Sequence, residues 1–343
     1  MPDKLVEHKK IEGWATLAFM KIGVPAKDAE TIAKALTKTS LWGIDSHGIA
    51  RVTHYLKRFE NGTIKTTPQL LFNKTGYAAG QLDGGDGHGI VILTEATRYA
   101  IGLAKDAGAG VIGVQDSSHC GAIGLYTRQI TEAGMVGIAF THSDALVIPH
   151  LGKKAFFGTN PISIAFPTEN NEEPICVDMA TSMAPWNIVM NARLEKKSIP
   201  AGVGVDANGN DATNADEIAA LKPLGGHKGY ALAFIIDMLC GPLNGMPYGP
   251  NITSMYKDMD KKRSLGSLVI AIDPERFGGA HTIRQTGTAI INHLKTQGNE
   301  VLFPGQPEYI KRTDRLKNGI PLSQVLQDDF NQWSSKLGIP ALS

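Results

Sequence analysis

Cysteine is scarce in this 343-residue chain: Cys120, Cys176 and Cys240 are odd in number and far apart. No CxxC pair occurs, so neither a disulfide framework nor a zinc ribbon is indicated, and a reducing compartment fits. An excess of one charge is lacking as well. The 34 basic and 33 acidic side chains leave a formal +1, which gives no reason to expect nucleic acid or an anionic membrane as partner. Long hydrophobic runs are missing: the most apolar stretch, residues 230–240, is broken by Asp237 and is about half the ~20 residues a membrane span needs. Residues 1–10 are too charged for the core of a signal peptide. Repeats, low-complexity tracts and long charge runs are absent, and a cytoplasmic protein is expected.

Several catalytic signatures are also wanting. There is no Walker A sequence, no G-x-S-x-G elbow and no HExxH pair, and Cys120 beside His119 is too little for a thiol enzyme. His142 and His150 stand eight apart with Asp144 between them, which is no recognisable ligand spacing, so no metal site is expected. Gly108-Ala109-Gly110-Val111-Ile112-Gly113 is a literal G-x-G-x-x-G. A dinucleotide fingerprint must lie between a strand and the helix it opens, whereas this one follows a helix and precedes a strand. Gly108 is expected to be a helix C-cap instead.

What is present alternates. At 42% hydrophobic residues the chain can bury a sizeable core, and its length suits one large or two domains. Residues 5–60 read as helices: Trp14, Leu17 and Ile22 recur at helical spacing, Gly23 and Pro25 interrupt, and Ala29, Ile32, Ala33 and Leu36 resume it. Turn-rich sequence from about 64 leads through Gln81-Leu82-Asp83 and a glycine-rich stretch at 84–89 to a helix carrying Val91 to Leu103; a strand at 111–114, a loop, a helix at 123–133 and a strand at 136–140 then form a β-loop-α-β unit. Strands near 162–166, 175–178 and 268–272, and helices after Pro185, from Lys228 and over 281–297, continue an α/β pattern. A last helix runs from Pro321, which suits a helix start, to Leu337, and packs back on the N-terminal ones. The domains expected are a helical one from 1–75 and 300–343, and an α/β one over 76–299.

One short stretch, Asp45-Ser46-His47-Gly48-Ile49-Ala50-Arg51, stands out chemically. Ile49, Val52, Leu56 and Phe59 place it at a helix start, with Ser46 or Asp45 as N-cap. His47 and Arg51 then point to one side. A guanidinium grips a carboxylate bidentately, and an imidazole can pass a proton to a carbonyl oxygen. An N-cap, a surface histidine and a solvated arginine would leave the same pattern.

Other candidates follow in order. His119, in Ser117-Ser118-His119-Cys120-Gly121, sits between a strand and a helix, as an acid/base group, a cofactor contact or a loop histidine held by backbone. Gly158-Thr159-Asn160-Pro161 is a turn at the mouth of a strand. Asp178-Met179-Ala180-Thr181 ends a strand, where a carboxylate can accept ribose hydroxyls or cap a helix. Gly225-Gly226-His227-Lys228-Gly229-Tyr230 joins two glycines and a lysine at a helix N-terminus, as a phosphate cradle or a tight turn.

With Pro304-Gly305-Gln306, these motifs stand in the order, and at roughly the spacing, of the type 2 malate/L-lactate dehydrogenase family, which the chain resembles over nearly its whole length. That family also holds ureidoglycolate, sulfolactate, diketogulonate and piperideine-carboxylate oxidoreductases. The resemblance implies NAD or NADP bound on a non-Rossmann α/β fold with a mixed sheet, and a homodimer. It implies His47 as acid/base oriented by Ser46, Arg51 as clamp for a substrate carboxylate, and Thr159 as a further substrate contact. His119, with Gly121, would touch the cofactor or serve as the base, as in ureidoglycolate enzymes. Asp178, Met179, Ala180, His227, Lys228, Gly305 and Gln306 would line the cofactor site. One departure is visible: some members carry a Gly-Asp pair whose carboxylate supports the catalytic histidine, and this chain has Asn187-Ile188 there. The activity expected is NAD-dependent interconversion of a 2-hydroxy acid and its 2-keto acid, malate and oxaloacetate first. Ureidoglycolate oxidation and a non-catalytic dinucleotide-binding protein are the rivals. NADP would want an extra arginine, which the sequence does not place.

Overall fold

Apolar residues at three- and four-residue steps build the first layer. The structure, a computed structural model, describes residues 3–170, 174–298 and 300–342. Strand β1 (Lys4–Val6) leads into helices α1 (His8–Lys21) and α2 (Ala26–Leu41), which bury Trp14, Ala18 and Phe19, and Ile32, Ala33 and Leu36. Helix α3 (Val52–Glu60) adds Tyr55, Leu56 and Phe59.

Then the alternation begins: β2 (Leu71–Lys74), β3 (Ala79–Asp83), α4 (Gly89–Ala107), β4 (Ala109–Ser117), α5 (Gly124–Glu132), β5 (Val136–Thr141), β6 (Ile162–Phe166), β7 (Ile175–Met179) and α6 (Trp186–Glu195). A small three-stranded sheet, β8 (Gly204–Val205), β9 (Asp211–Ala212) and β10 (Ala220–Leu221), precedes α7 (His227–Cys240), β11 (Leu265–Ile272) and α8 (Ala280–Lys295). The chain closes with α9 (Gln306–Asn318), β12 (Ile320–Leu322) and α10 (Gln324–Leu337).

The main sheet is mixed and seven-stranded, in the order β2-β3-β4-β11-β5-β6-β7. Strands β3 and β4 are parallel, joined through α4, and the other neighbouring pairs are antiparallel. Helices α4 and α5 pack on it over Leu93, Ala96, Ala100, Ile112, Val114, Tyr126, Ile130 and Val269. The two ends of the chain share a core. β1 pairs with β12, the Trp14 and Phe330 rings stack at 4.4 Å, and Trp14 Nε1 donates to Ser334 Oγ at 2.8 Å. Gly108 ends α4 in the left-handed region at φ 83°, with β4 starting at the next residue, as expected.

Four local expectations are corrected. Lys4–Val6 and Leu71–Lys74 are strands rather than helix and turn, because each has a partner strand too distant in sequence to show as local periodicity. Pro321 lies in β12, and α10 starts after Ser323, whose Oγ accepts from Leu326 N. The expected β-loop-α-β unit is present as β4, α5 and β5, with β11, arriving from more than a hundred residues on, inserted between the two strands. The fourth concerns His47. Two 3-10 turns, Asp45–His47 and Ile49–Arg51, precede α3, and neither Ser46 nor Asp45 caps a helix.

Candidate active site

That double turn exists because Gly48 runs against Ser40 of α2. A Cβ built on Gly48 would stand 2.0 Å from Ser40 Oγ and 3.0 Å from its backbone nitrogen. Ser40 Oγ takes the Ile49 N–H at 2.9 Å, so one hydroxyl sets the bend. The side chain of Asp45 turns outward to Arg315 of α9, which grips both carboxylate oxygens. Asp45 therefore anchors the bend and does not support His47. The imidazole Nδ1 meets Ser46 Oγ at 2.8 Å instead.

Arg51 follows on the second turn, 7% exposed. Its Nε donates to the Ser46 carbonyl at 2.6 Å, Nη1 to Tyr256 Oη at 3.0 Å, and Nη2 to Asn187 Oδ1 at 2.9 Å. All three partners are neutral. Among the described residues no carboxylate pairs with Arg51, so a buried positive charge faces the cleft without a counter-ion, an arrangement that favours an anionic ligand. Asn187, the departure noted in the sequence, is thus a holder of Arg51, while Ile188 beside it is exposed.

His119 arrives from the loop after β4, its ring 5.5 Å from that of His47 and nearly parallel to it. Its Nδ1 lies 3.3 Å from the Gly121 N–H and 2.5 Å from Tyr55 Oη. An N–H can only donate, so Nδ1 accepts and the ring proton sits on Nε2. Burial first, with the charge of Arg51 beside it, holds His47 down to about 3. Burial, then His47 and Arg51, keeps His119 well below the ordinary histidine range. Both rings are neutral near pH 7.

Thr159, Asp178, Met179 and Ala180 line the same cleft, with Ser46, His47, Arg51, His119 and Gly121. Thr159 is pinned by Ser143 Oγ on its N–H and by the Thr181 N–H on its carbonyl. The Asp178 carboxylate takes the Gly124 N–H at the start of α5 through Oδ2, at 2.8 Å. Burial pushes it up to about 6, against the pull of that N–H and of Arg128. The remaining oxygen suits a ribose hydroxyl, so the cleft fits a dinucleotide.

Four expected cofactor residues stand outside this lining. His227 and Lys228 are exposed at the start of α7, beyond Gly225 and Gly226, which border a separate hollow with His150 and Lys153. Gly305 caps α9, and Gln306 Oε1 accepts from the Phe303 N–H, whereas Glu308, in the first turn of α9, reaches the cleft.

Two cleft residues, Asn187 and Tyr256, and Tyr55 buried behind His119 went unremarked as site residues in the sequence. Tyr55 is legible in hindsight, since His47, Arg51 and Tyr55 are spaced by four. Asn187 showed only as a departure. Tyr256 leaves no local signal. Its loop is held by Arg58, which donates to the carbonyls of Ser254, Met255, Asp258 and Lys261, and by the buried pair Arg263–Asp144 at 2.7 Å.

Residues 6–331 match the family described as malate/L-lactate dehydrogenase. The malate/(S)-sulfolactate dehydrogenase of Methanothermus fervidus is 33% identical over 93% of this chain and 94% of its own. The NAD(+)-dependent ureidoglycolate dehydrogenase of Escherichia coli K12 is 34% identical over 95% and 92%. Among solved structures, malate dehydrogenase of Pyrococcus horikoshii superposes with a TM-score of 0.90 at 27% identity, covering 99% of this chain and 100% of that one.

Proposed function

The chain belongs to the malate/L-lactate dehydrogenase family, and from that membership we propose that it is an NAD-dependent dehydrogenase that interconverts malate and oxaloacetate. The observation that carries the reading is Arg51: a buried guanidinium held only by neutral acceptors, in one cleft with His47. Its free donors take the substrate carboxylate next to the reacting carbon. Ser143, Thr159 and the Asn187 amide, all in the lining, supply polar contacts for a second carboxylate, where a monocarboxylate would place a methyl group.

The two histidines divide the work. With Nδ1 donating to Ser46 Oγ, His47 presents a bare Nε2 that takes the hydroxyl proton during oxidation and returns it to the carbonyl oxygen during reduction. His119, locked with its proton on Nε2, donates a hydrogen bond and cannot act as base in that state. The nicotinamide supplies or accepts the hydride. Asp178, Met179 and Ala180 would hold the cofactor, with Gly121, Gly305 and Gln306 nearby and His227 and Lys228 at the far end. A substrate carboxylate on Arg51 cancels the charge that depresses His47, so substrate binding raises the affinity of that ring for a proton.

The division into 1–75 with 300–343 and 76–299 is part of this proposal, and the core that Trp14, Phe19, Leu36 and Leu56 share with Phe330 supports joining the two ends. A homodimer would cover the apolar side chains that α7 exposes, Leu232, Phe234, Ile235 and Met238. Among the described residues no helix is long and apolar enough to cross a membrane, and a cytoplasmic location is part of this proposal.

The test is loss of NADH absorbance with oxaloacetate, pyruvate and oxalurate in parallel. Fastest turnover of oxaloacetate is expected. Turnover of oxalurate alone would transfer the assignment to ureidoglycolate, and turnover of none with NADH still bound would leave a binding protein.

A further inference from the structure

Beside the cleft, behind α5, lies a second cavity of about 330 Å³. At its wall stands Arg128, 4% exposed, whose guanidinium lies 4.2 Å over the Trp42 ring. Its Nε and Nη1 are buried with no hydrogen-bond partner. Among the described residues no carboxylate lies within ion-pair distance of it. Asp178 of the cleft is a near neighbour across Gly124 without touching it. The Tyr309 hydroxyl donates to the Pro174 carbonyl at 2.7 Å and is the side-chain hydrogen-bond partner of Arg128. A buried guanidinium with unmade hydrogen bonds and no counter-ion is costly, and an anion that brings both charge and acceptors removes that cost.

The rest of the lining points the same way. Lys38 and Arg312 stand at the rim, and the acid that borders the cavity, Glu132, is paired with Lys38 at 3.2 Å. The indole fixes the plane of the guanidinium, so its fork of donors is preorganised for tetrahedral or planar oxyanions. With Lys38 already paired to Glu132, Arg128 is the guanidinium that offers buried donors without acceptors, and these suit an oxyanion with several acceptor oxygens. We propose that this cavity binds a phosphate monoester or inorganic phosphate through Arg128, with Lys38 and Arg312 at the rim. Tyr309 follows Glu308 of the cleft by one residue, so such a phosphate lies within reach of a cofactor bound along Asp178. This places an arginine of the kind that a 2′-phosphate wants, although the sequence offered no way to assign it.

The experiment is calorimetric titration of the full-length protein with inorganic phosphate, 2′-AMP, 5′-AMP, NADH and NADPH, for wild type, Arg128→Gln, Arg128→Lys and Lys38→Gln. Wild type is expected to bind 2′-AMP or inorganic phosphate, with a loss of about ten- to a hundredfold in Arg128→Gln, partial retention in Arg128→Lys and a smaller loss in Lys38→Gln. If 2′-AMP and NADPH weaken while NADH does not, the phosphate belongs to the cofactor. If inorganic phosphate alone weakens, the site serves a separate ligand; both outcomes support the cavity. No uptake of phosphate or 2′-AMP by wild type at millimolar concentration, or affinities unchanged across the variants, would overturn it. Should Arg128→Gln fail to fold, Lys38→Gln and Arg312→Gln at the rim decide. No arm depends on turnover, so the result is separate from the choice of substrate.

Discussion

Nδ1 of His47 touches a serine hydroxyl and Nδ1 of His119 touches a tyrosine hydroxyl and a backbone N–H. In the proposed mechanism that difference of partners makes His47 the proton carrier and His119 a fixed donor. Replacing His47 with alanine is expected to lower turnover by about 10²- to 10⁴-fold, the worth of general acid/base catalysis, with NADH affinity within twofold of wild type. Near-normal turnover in steady-state assays would remove His47 from the mechanism. Tyr55→Phe tests the partner. Losing that hydrogen bond should cost about three- to tenfold in kcat, and it removes one of the two donors on Nδ1 of His119, which raises the ring's affinity for a proton and should shift an ionisation in the pH profile of kcat. A profile without that shift would show that Tyr55 merely fills space. From the sequence, His47, Arg51 and His119 were legible because their residue types have few competing uses at such spacings. Asn187 and Tyr256 were not, since an amide or a phenol acquires its role only from the guanidinium brought against it.

Among the elements, the double 3-10 turn is the one on which the site depends. It replaces an expected first helical turn because Gly48 must pass close to Ser40, a contact eight residues back across the α2–α3 junction. Gly48→Ala would force a methyl into Ser40 and its backbone, and overpacking of this kind costs about 1–3 kcal/mol. The expected outcome is a lower melting temperature together with a kcat/KM loss larger than that of a comparable overpacking substitution remote from the cleft. Full activity at wild-type stability would mean that the bend tolerates a side chain. Strand β11 teaches a related lesson. Its apolar run marked it as a buried strand, but its seat between β4 and β5 was set by pairing across the whole α/β segment, which no local period encodes.

For the whole molecule, burial of four histidines has a consequence for acid stability. His47, His54 and His88 are each held down to about 3, and His119 well below its ordinary range, chiefly by burial. Their ordinary value is 6.5, so in acid the unfolded chain takes up protons that the folded one refuses. The stability they contribute is complete above about pH 6.5 and is lost as pH falls toward 3, by up to about 1.4 kcal/mol per pH unit for each ring. Asp178 opposes them. Its carboxyl is raised to about 6, so the folded state holds that proton more tightly, and its contribution grows as pH falls through 6 toward the ordinary aspartate value. Four groups against one leave a net loss. Urea unfolding between pH 7.5 and 5 should show midpoints falling steeply below pH 6.5, and His88→Gln should flatten the slope. Equal midpoints across that range would contradict the burial.

The sequence alone determined the things that depend on residue type and on short-range order. These are the α/β class, the rejection of the G-x-G-x-x-G at Gly108, the helical periodicities, and the run of motifs from Ser46 to Gln306 that marks the family. Those patterns survive because hydrophobic periodicity and turn chemistry act over a few residues. Tertiary structure decided the rest: that Asp45 serves Arg315 and leaves His47 to Ser46, that the Gly121 N–H sets the tautomer of His119, that Arg51 is held by neutral partners alone, and that Arg128 stands without a carboxylate partner beside the cleft. Each of these is a statement about which charge or lone pair meets which. Such meetings are settled by burial and by contacts between residues up to 270 positions apart, where spacing along the chain carries no information.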